Sequence, residues 1–185
     1  MRLTLQLQMA SKPDDAVLIQ VKANVDEIFS NAKVANCENL TQIFEQRVKN
    51  NPEDLELLKK TYNLLNANRC QEKDFYRSTA EKLFAKEPTA SLAYELAKLH
   101  GGLNNYNKAE TYFKRAIELE IDTLRKSVYL VEYAGIVFNN FKKPQEARSL
   151  ALQSISINPN MGYAYMLIGN IYASEKNCFS DEFQK

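Results

Sequence analysis

The chain has 185 residues, 24 Lys and Arg against 23 Asp and Glu, and a single His. Near-neutral charge argues against a strongly basic nucleic-acid face, and one His excludes any site built on two. Five Gly and five Pro supply too few turns for an all-β sandwich or barrel. No apolar run is long enough to span a bilayer.

In chain order, residues 1–12 read as a leader of unclear structure, with Leu3, Leu5, Leu7 and Met9 alternating with polar residues. They lack the continuous apolar stretch of a secretory signal. Residues 13–51 read as a degenerate helical pair. Its first helix, expected over 15–33, carries a stripe of Val17, Leu18, Val21, Val25, Ile28 and Phe29. The second, over 38–50, turns Leu40, Ile43, Phe44 and Val48 inward. From 52 to 185 the pattern is an array. Pro52 suits a first helical position, and helices are expected over 53–67, 73–86, 90–101, 106–119, 122–140, 144–157 and 160–174. Glu87-Pro88, Asn104-Asn105 and Asn158-Pro159-Asn160 break the array into pairs.

One spacing recurs within it, in its clearest copy aromatic-x-x-aliphatic-Gly-x-x-aromatic. Tyr165, Ile168, Gly169 and Tyr172 carry it most sharply. Val131, Ala134, Gly135 and Phe138 repeat it 34 residues earlier, and Ala93, Leu96, Ala97 and His100 lie 38 before those. Leu58, Thr61, Tyr62 and Leu65 are a loose copy, with Tyr62 in the small-residue slot. A second helix follows each full copy, with Ala109, Phe113 and Ala116 in one and Ala147, Ala151 and Ser154 in the next. Small residues let helix axes approach, and the large ones fill the space between units. Gly169 is expected to be a close-contact point.

These residues resemble the tetratricopeptide repeat family, whose unit is a helix–turn–helix of about 34 residues. The resemblance covers roughly residues 52–175. It implies an all-α right-handed superhelical solenoid of antiparallel helix pairs, acting as a non-enzymatic protein- or peptide-binding scaffold through its concave face. Counting along each first helix from its close-contact residue places Tyr94 and Lys98 on that face in one copy. The same count places Tyr129, Glu132, Tyr133 and Asn140 there in the next, and Tyr163, Met166 and Asn170 in the last. Tyr supplies area with a hydroxyl handle, and Asn can pair both groups of an extended backbone. Tyr62, Tyr106 and Tyr172 are expected in inter-helix packing. Members of the family that clamp a peptide C-terminus use groove Lys, Asn and Arg. Lys59 and Asn63 match the first pair, but Glu95, Tyr129 and Tyr133 depart from the rest, which argues against a clamp.

Catalytic chemistry finds no foothold in the pattern. A nucleophile with a His base would have to use His100, which sits in the packing slot held by Phe138 and Tyr172 in later copies. Cys37, Cys70 and Cys178 are isolated, with no C-x-x-C and no phosphate-binding glycine loop, so neither a metal nor a cofactor is expected. Cys37 and Cys70 fall near the inter-helix turns of neighbouring units. A bridge needs Cα atoms within about 7 Å, whereas packed helices lie about 8–10 Å apart. A disulfide there is therefore open but not favoured.

After Tyr172 no full second helix fits, so the array reads as truncated and its last helix as exposed to self-association. In this respect the chain resembles a piece of the multi-repeat proteins of bacterial cell envelopes, with Cys178 and Phe183 beginning an irregular insertion. Two competing readings remain. One is a structural segment of a larger protein that binds no free peptide. The other is an RNA-binding helical repeat, which the even charge balance does not encourage.

Overall fold

The computed structural model describes residues 11–12, 15–31 and 36–175. The expectations for most of the leader, for residues 176–185 and for the insertion at Cys178 and Phe183 fall outside them. The described residues hold nine helices and no strand. They are α1 (Ala16–Asn31), α2 (Cys37–Asn50), α3 (Leu55–Ala67), α4 (Asp74–Lys86), α5 (Ala90–Gly102), α6 (Tyr106–Leu119), α7 (Thr123–Asn139), α8 (Pro144–Ile157) and α9 (Gly162–Glu175). The fold is an all-α helical repeat, as the family resemblance implies.

Local chemistry sets the helix starts. Side chains of Asn36, Asp54, Thr89 and Asp122 accept hydrogen bonds from the amides of Asn39, Leu57, Leu92 and Arg125. Each satisfies one orphan donor of a first turn. Pro144 opens α8, where its missing N–H costs nothing. Between paired helices the backbone makes the same left-handed step three times, at Arg69 (φ 57°), Asn104 (φ 60°) and Lys142 (φ 56°). The next amide then reaches back to the preceding helix: Cys70 to the Leu65 carbonyl and Asn105 to that of His100, both 2.9 Å, and Lys143 to that of Val137, 3.2 Å. Asn tolerates this region, whereas Arg and Lys carry a Cβ penalty there.

Two compact units result, Met1–Lys86 and Glu87–Lys185. Where the sequence reading joins residues 52–86 to the later repeats, the first unit holds them with the N-terminal pair. In that unit α2 packs on α3 and α4. Leu40, Phe44 and Val48 are buried together with Leu58, Leu65, Tyr76 and Ala80. The Tyr62 ring stacks on Tyr76 with centroids 5.4 Å apart. On α1, Val17 and Ile19 are exposed.

Cys37 and Cys70 form a disulfide across a Cα separation of 5.3 Å, which corrects the expectation that left it unfavoured. The interaxial distance applies to helix middles. Cys37 is instead the first residue of α2, and Cys70 lies in the turn after α3. Chain ends can converge more closely than helix axes.

In the second unit α5 pairs with α6, α7 with α8, and α9 packs on α8 and α7. Its core combines Phe113, Val131, Tyr133, Val137, Leu167 and Ile171 with five alanines, Ala97, Ala134, Ala147, Ala151 and Ala164. Such small residues let helices approach closely. The buried Ser154 hydroxyl donates to the Ser127 carbonyl at 2.7 Å, tying α8 to α7. His100 is buried and its ring lies 5.4 Å from that of Tyr112, nearly parallel, so it packs as its slot predicts. Tyr165 and Tyr172 are about half exposed. No atom stands within 4 Å of where a Gly169 Cβ would be. Among the described residues, then, Gly169 is not a close-contact point and Tyr172 is not interior packing. On the α9 face that bears them, the Arg148 guanidinium of α8 stacks over the half-exposed Tyr172 ring.

Candidate functional site

The second unit contains a cleft of about 520 Å³. Its walls come from α5, α6, α7 and α9. Phe113, Gly101, Gly135 and Ile136 give it an apolar floor. Polar groups reach it from Lys98 on α5, Tyr106 at the start of α6, Glu132 and Asn139 on α7, Asn140 just after, and Tyr163 on α9.

Four of the nine residues expected on the concave face meet here: Lys98, Glu132, Asn140 and Tyr163. Tyr94 lies beside them. Its hydroxyl donates to Glu132 Oε1 at 2.8 Å, and its ring lies 5.3 Å below the Lys98 ammonium. Lys98 Nζ is 4.0 Å from the other Glu132 oxygen. Both oxygens of Glu132 therefore face a partner, and the pair is neutral. Met166 and Asn170 are exposed on α9 but do not line the cleft.

Tyr129 and Tyr133 correct the expectation of groove exposure: they are only 5% and 2% exposed. The Tyr129 ring stacks on Tyr94 at 4.3 Å, and Tyr133 stacks on Phe113 at 5.9 Å. Both rings are core, with their hydroxyls turned to carboxylates from α6 and its end. Tyr133 donates to Glu110 Oε1 at 2.7 Å, which Lys114 also reaches at 2.7 Å. Burial, then the hydrogen bond and charge of Glu120, pushes the Tyr129 phenol up to about 12. Burial first, then Glu132 and Glu110 respectively, raises Tyr94 and Tyr133 further. The Glu110 carboxyl is held below its usual range, chiefly by the hydrogen bond from Lys114, against a burial effect of opposite sign. All three phenols therefore stay protonated as donors at neutral pH.

Asn139, Asn140 and the Tyr163 hydroxyl make no side-chain hydrogen bond among the described residues. They offer the cleft its free donors and acceptors. Tyr163 is 43% exposed. Its hydroxyl lies over the bare Cα of Gly135, where an added Cβ would meet it at 3.1 Å. Counting along first helices missed Tyr106 and Phe113, because they belong to a second helix. It also missed Asn139, although its neighbour Asn140 was a signal for it. A separate exposed region lies along the outer side of α8, around Leu152 and Arg148. The Arg148 guanidinium stacks 4.4 Å over Tyr172 and pairs with Glu175.

Comparison with known proteins follows the same lines. A sequence model of the tetratricopeptide repeat matches residues 90–120, the α5–α6 pair. Solved structures with this fold include MamA, at 18% identity and a TM-score of 0.58, covering 75% of this chain and 78% of that one. A second MamA structure shares 16% identity with a TM-score of 0.60, covering 84% of this chain and 81% of the other. YrrB, described as a TPR protein with an unusual peptide-binding site, has 16% identity and a TM-score of 0.59, with 94% and 84% covered. Curated protein sequences yield no match.

Proposed function

Because the chain carries a tetratricopeptide repeat within an all-α helical-repeat fold, we propose that it is a non-enzymatic scaffold that binds a peptide in the cleft of its second unit. One observation carries this reading. The free amides of Asn139 and Asn140 and the free Tyr163 hydroxyl surround an apolar floor of Phe113, Ile136 and two glycines. An apolar pocket with a few convergent polar groups is the usual form of a binding site. The peptide-binding site described for YrrB, on a fold of the same kind, supports the choice of ligand.

The test is a peptide captured from the native source by crosslinking to the full chain. Tyr163→Ala should then weaken binding by tenfold or more, as truncating an anchor does. Helix content should not change, since Tyr163 is partly exposed. Undiminished binding by Tyr163→Ala contradicts this assignment.

Exposed Leu152, Tyr165 and Tyr172 favour a second reading, in which another protein segment or a second copy packs on α8 and α9. Binding lost on Leu152→Glu and kept in Tyr163→Ala selects that reading instead.

A further inference from the structure

We infer that the cleft reads the main chain of an extended, uncharged peptide segment and selects neither acidic nor basic sequences. This rests on the peptide-binding reading above and says what kind of peptide is bound.

The first argument is electrostatic. Lys98 and Glu132 are the residues among the cleft's lining that carry charge at neutral pH. They neutralise one another at 4.0 Å, and the Tyr94 hydroxyl holds the remaining Glu132 oxygen at 2.8 Å. Lys98 also rests over the Tyr94 ring. A ligand carboxylate approaching Lys98 meets the Glu132 charge beside it, and a ligand ammonium meets the reverse. Neither sign gains a net field, so electrostatic complementarity rewards a neutral segment.

The second argument is the donor and acceptor inventory. A side-chain amide offers two N–H donors and a carbonyl acceptor, the same groups a peptide unit presents. Asn139 and Asn140 place two such amides side by side at the end of α7. The Tyr163 hydroxyl adds a group that can both donate and accept.

The third argument is the floor. Gly135 sits in the middle of a helix, where glycine is disfavoured by about 1 kcal/mol against alanine. Its only close neighbour at the Cβ position is the end of the flexible Tyr163 side chain. Helix packing does not demand glycine there, because that neighbour can shift. What the missing side chain provides is room for the Tyr163 hydroxyl, which seats over the buried Gly135 and is held there at the wall of the cleft.

The test selects phage-displayed random short peptides on the full chain and measures the recovered sequences as labelled synthetic peptides. Recovered peptides should have net charge near zero. Their affinity should change by no more than about twofold between low and high salt, because no charge pair is formed. The double variant Asn139→Ala with Asn140→Ala should weaken binding by about tenfold. Gly135→Ala should also weaken it without loss of helix content. Lys98→Met alone, which leaves the Glu132 charge unpaired, should shift selection from uncharged toward basic peptides. Recovery of acidic peptides that Lys98→Met no longer binds overturns the proposal and leaves a peptide site of different chemistry. Unaltered binding by the double asparagine variant also overturns it. If no peptide is enriched, the peptide-binding reading itself falls, and this inference with it.

Discussion

The two units share one helix–turn–helix plan and hold it together differently. In the second, alanines stand where helices cross, at Ala97, Ala134, Ala147 and Ala151, and aromatic rings fill the space they leave. The first unit has Tyr62 in the small-residue slot, stacked on Tyr76. There, a covalent bond between the start of α2 and the turn after α3 adds what close packing does not supply. The lesson is that a repeat can drift from its packing pattern when another constraint holds its ends. The unit that keeps the pattern also holds the cleft described above.

The largest effect should come from breaking the packed unit. Phe113→Ala removes a fully buried ring that touches both Tyr94 and Tyr133, and should cost about 3–5 kcal/mol. Tyr133→Ala should be of similar severity, because this tyrosine is core. Hydrogen exchange resolved by residue would show protection lost in α5–α9 and retained in α2–α4. Equal loss in both units would mean that they are not independently held.

Breaking the covalent constraint should come next. Cys37→Ser with Cys70→Ser frees a loop whose closing residues are 33 apart in sequence. In the chain-entropy account this costs roughly 3–4 kcal/mol. Denaturant unfolding should report the loss in the first unit, with the tyrosine environment of the second unchanged. Three free thiols on the unfolded, unreduced protein would exclude the bridge from the outset.

Alkaline pH should then separate the units without any substitution. The Tyr129 phenol titrates at about 12 in the folded chain, against an ordinary value of 10.0. A raised folded value means that its contribution is complete below about 10 and disappears as pH rises toward 12. Tyr94 and Tyr133 shift in the same direction. The second unit should therefore lose stability across that window while its phenols resist ionisation. Ultraviolet titration should show these three tyrosinates forming only well above the ordinary phenol value of 10.0. Ionisation of every tyrosine in one early step would contradict the paired carboxylate geometry.

The smallest effects should sit at the turns. Arg69→Gly in one unit and Lys142→Gly in the other relieve a left-handed backbone at a residue with a Cβ. Each should gain about 0.5–1 kcal/mol in melting experiments, partly offset by the freedom of glycine in the unfolded chain. Asn104→Gly should gain less, because asparagine already accepts that conformation.

The helices were legible in the sequence because apolar residues at a period of 3.6 leave a strong signal, and Pro and Asn mark their ends. The left-handed turns were legible only at Asn104, since Arg69 and Lys142 do not advertise a positive φ. The disulfide was misjudged by applying a helix-axis distance to residues at helix ends. At the candidate site, Lys98, Glu132, Asn140 and Tyr163 of the residues reached by helical counting line one cleft. It failed for Tyr129 and Tyr133 because their surroundings depend on Glu110 and Glu120, supplied by another helix and its end. A single helix specifies which residues share a face. It does not specify which neighbour covers that face.

The most direct measurement is a nuclear magnetic resonance titration of the full isotopically labelled chain with a selected uncharged peptide. Shifts should concentrate at the amides of Lys98, Gly135, Asn139 and Asn140 and at the side chain of Tyr163, with α2–α4 silent. Shifts centred on Leu152 and Tyr172, or within the first unit, would contradict the assignment of binding to the cleft.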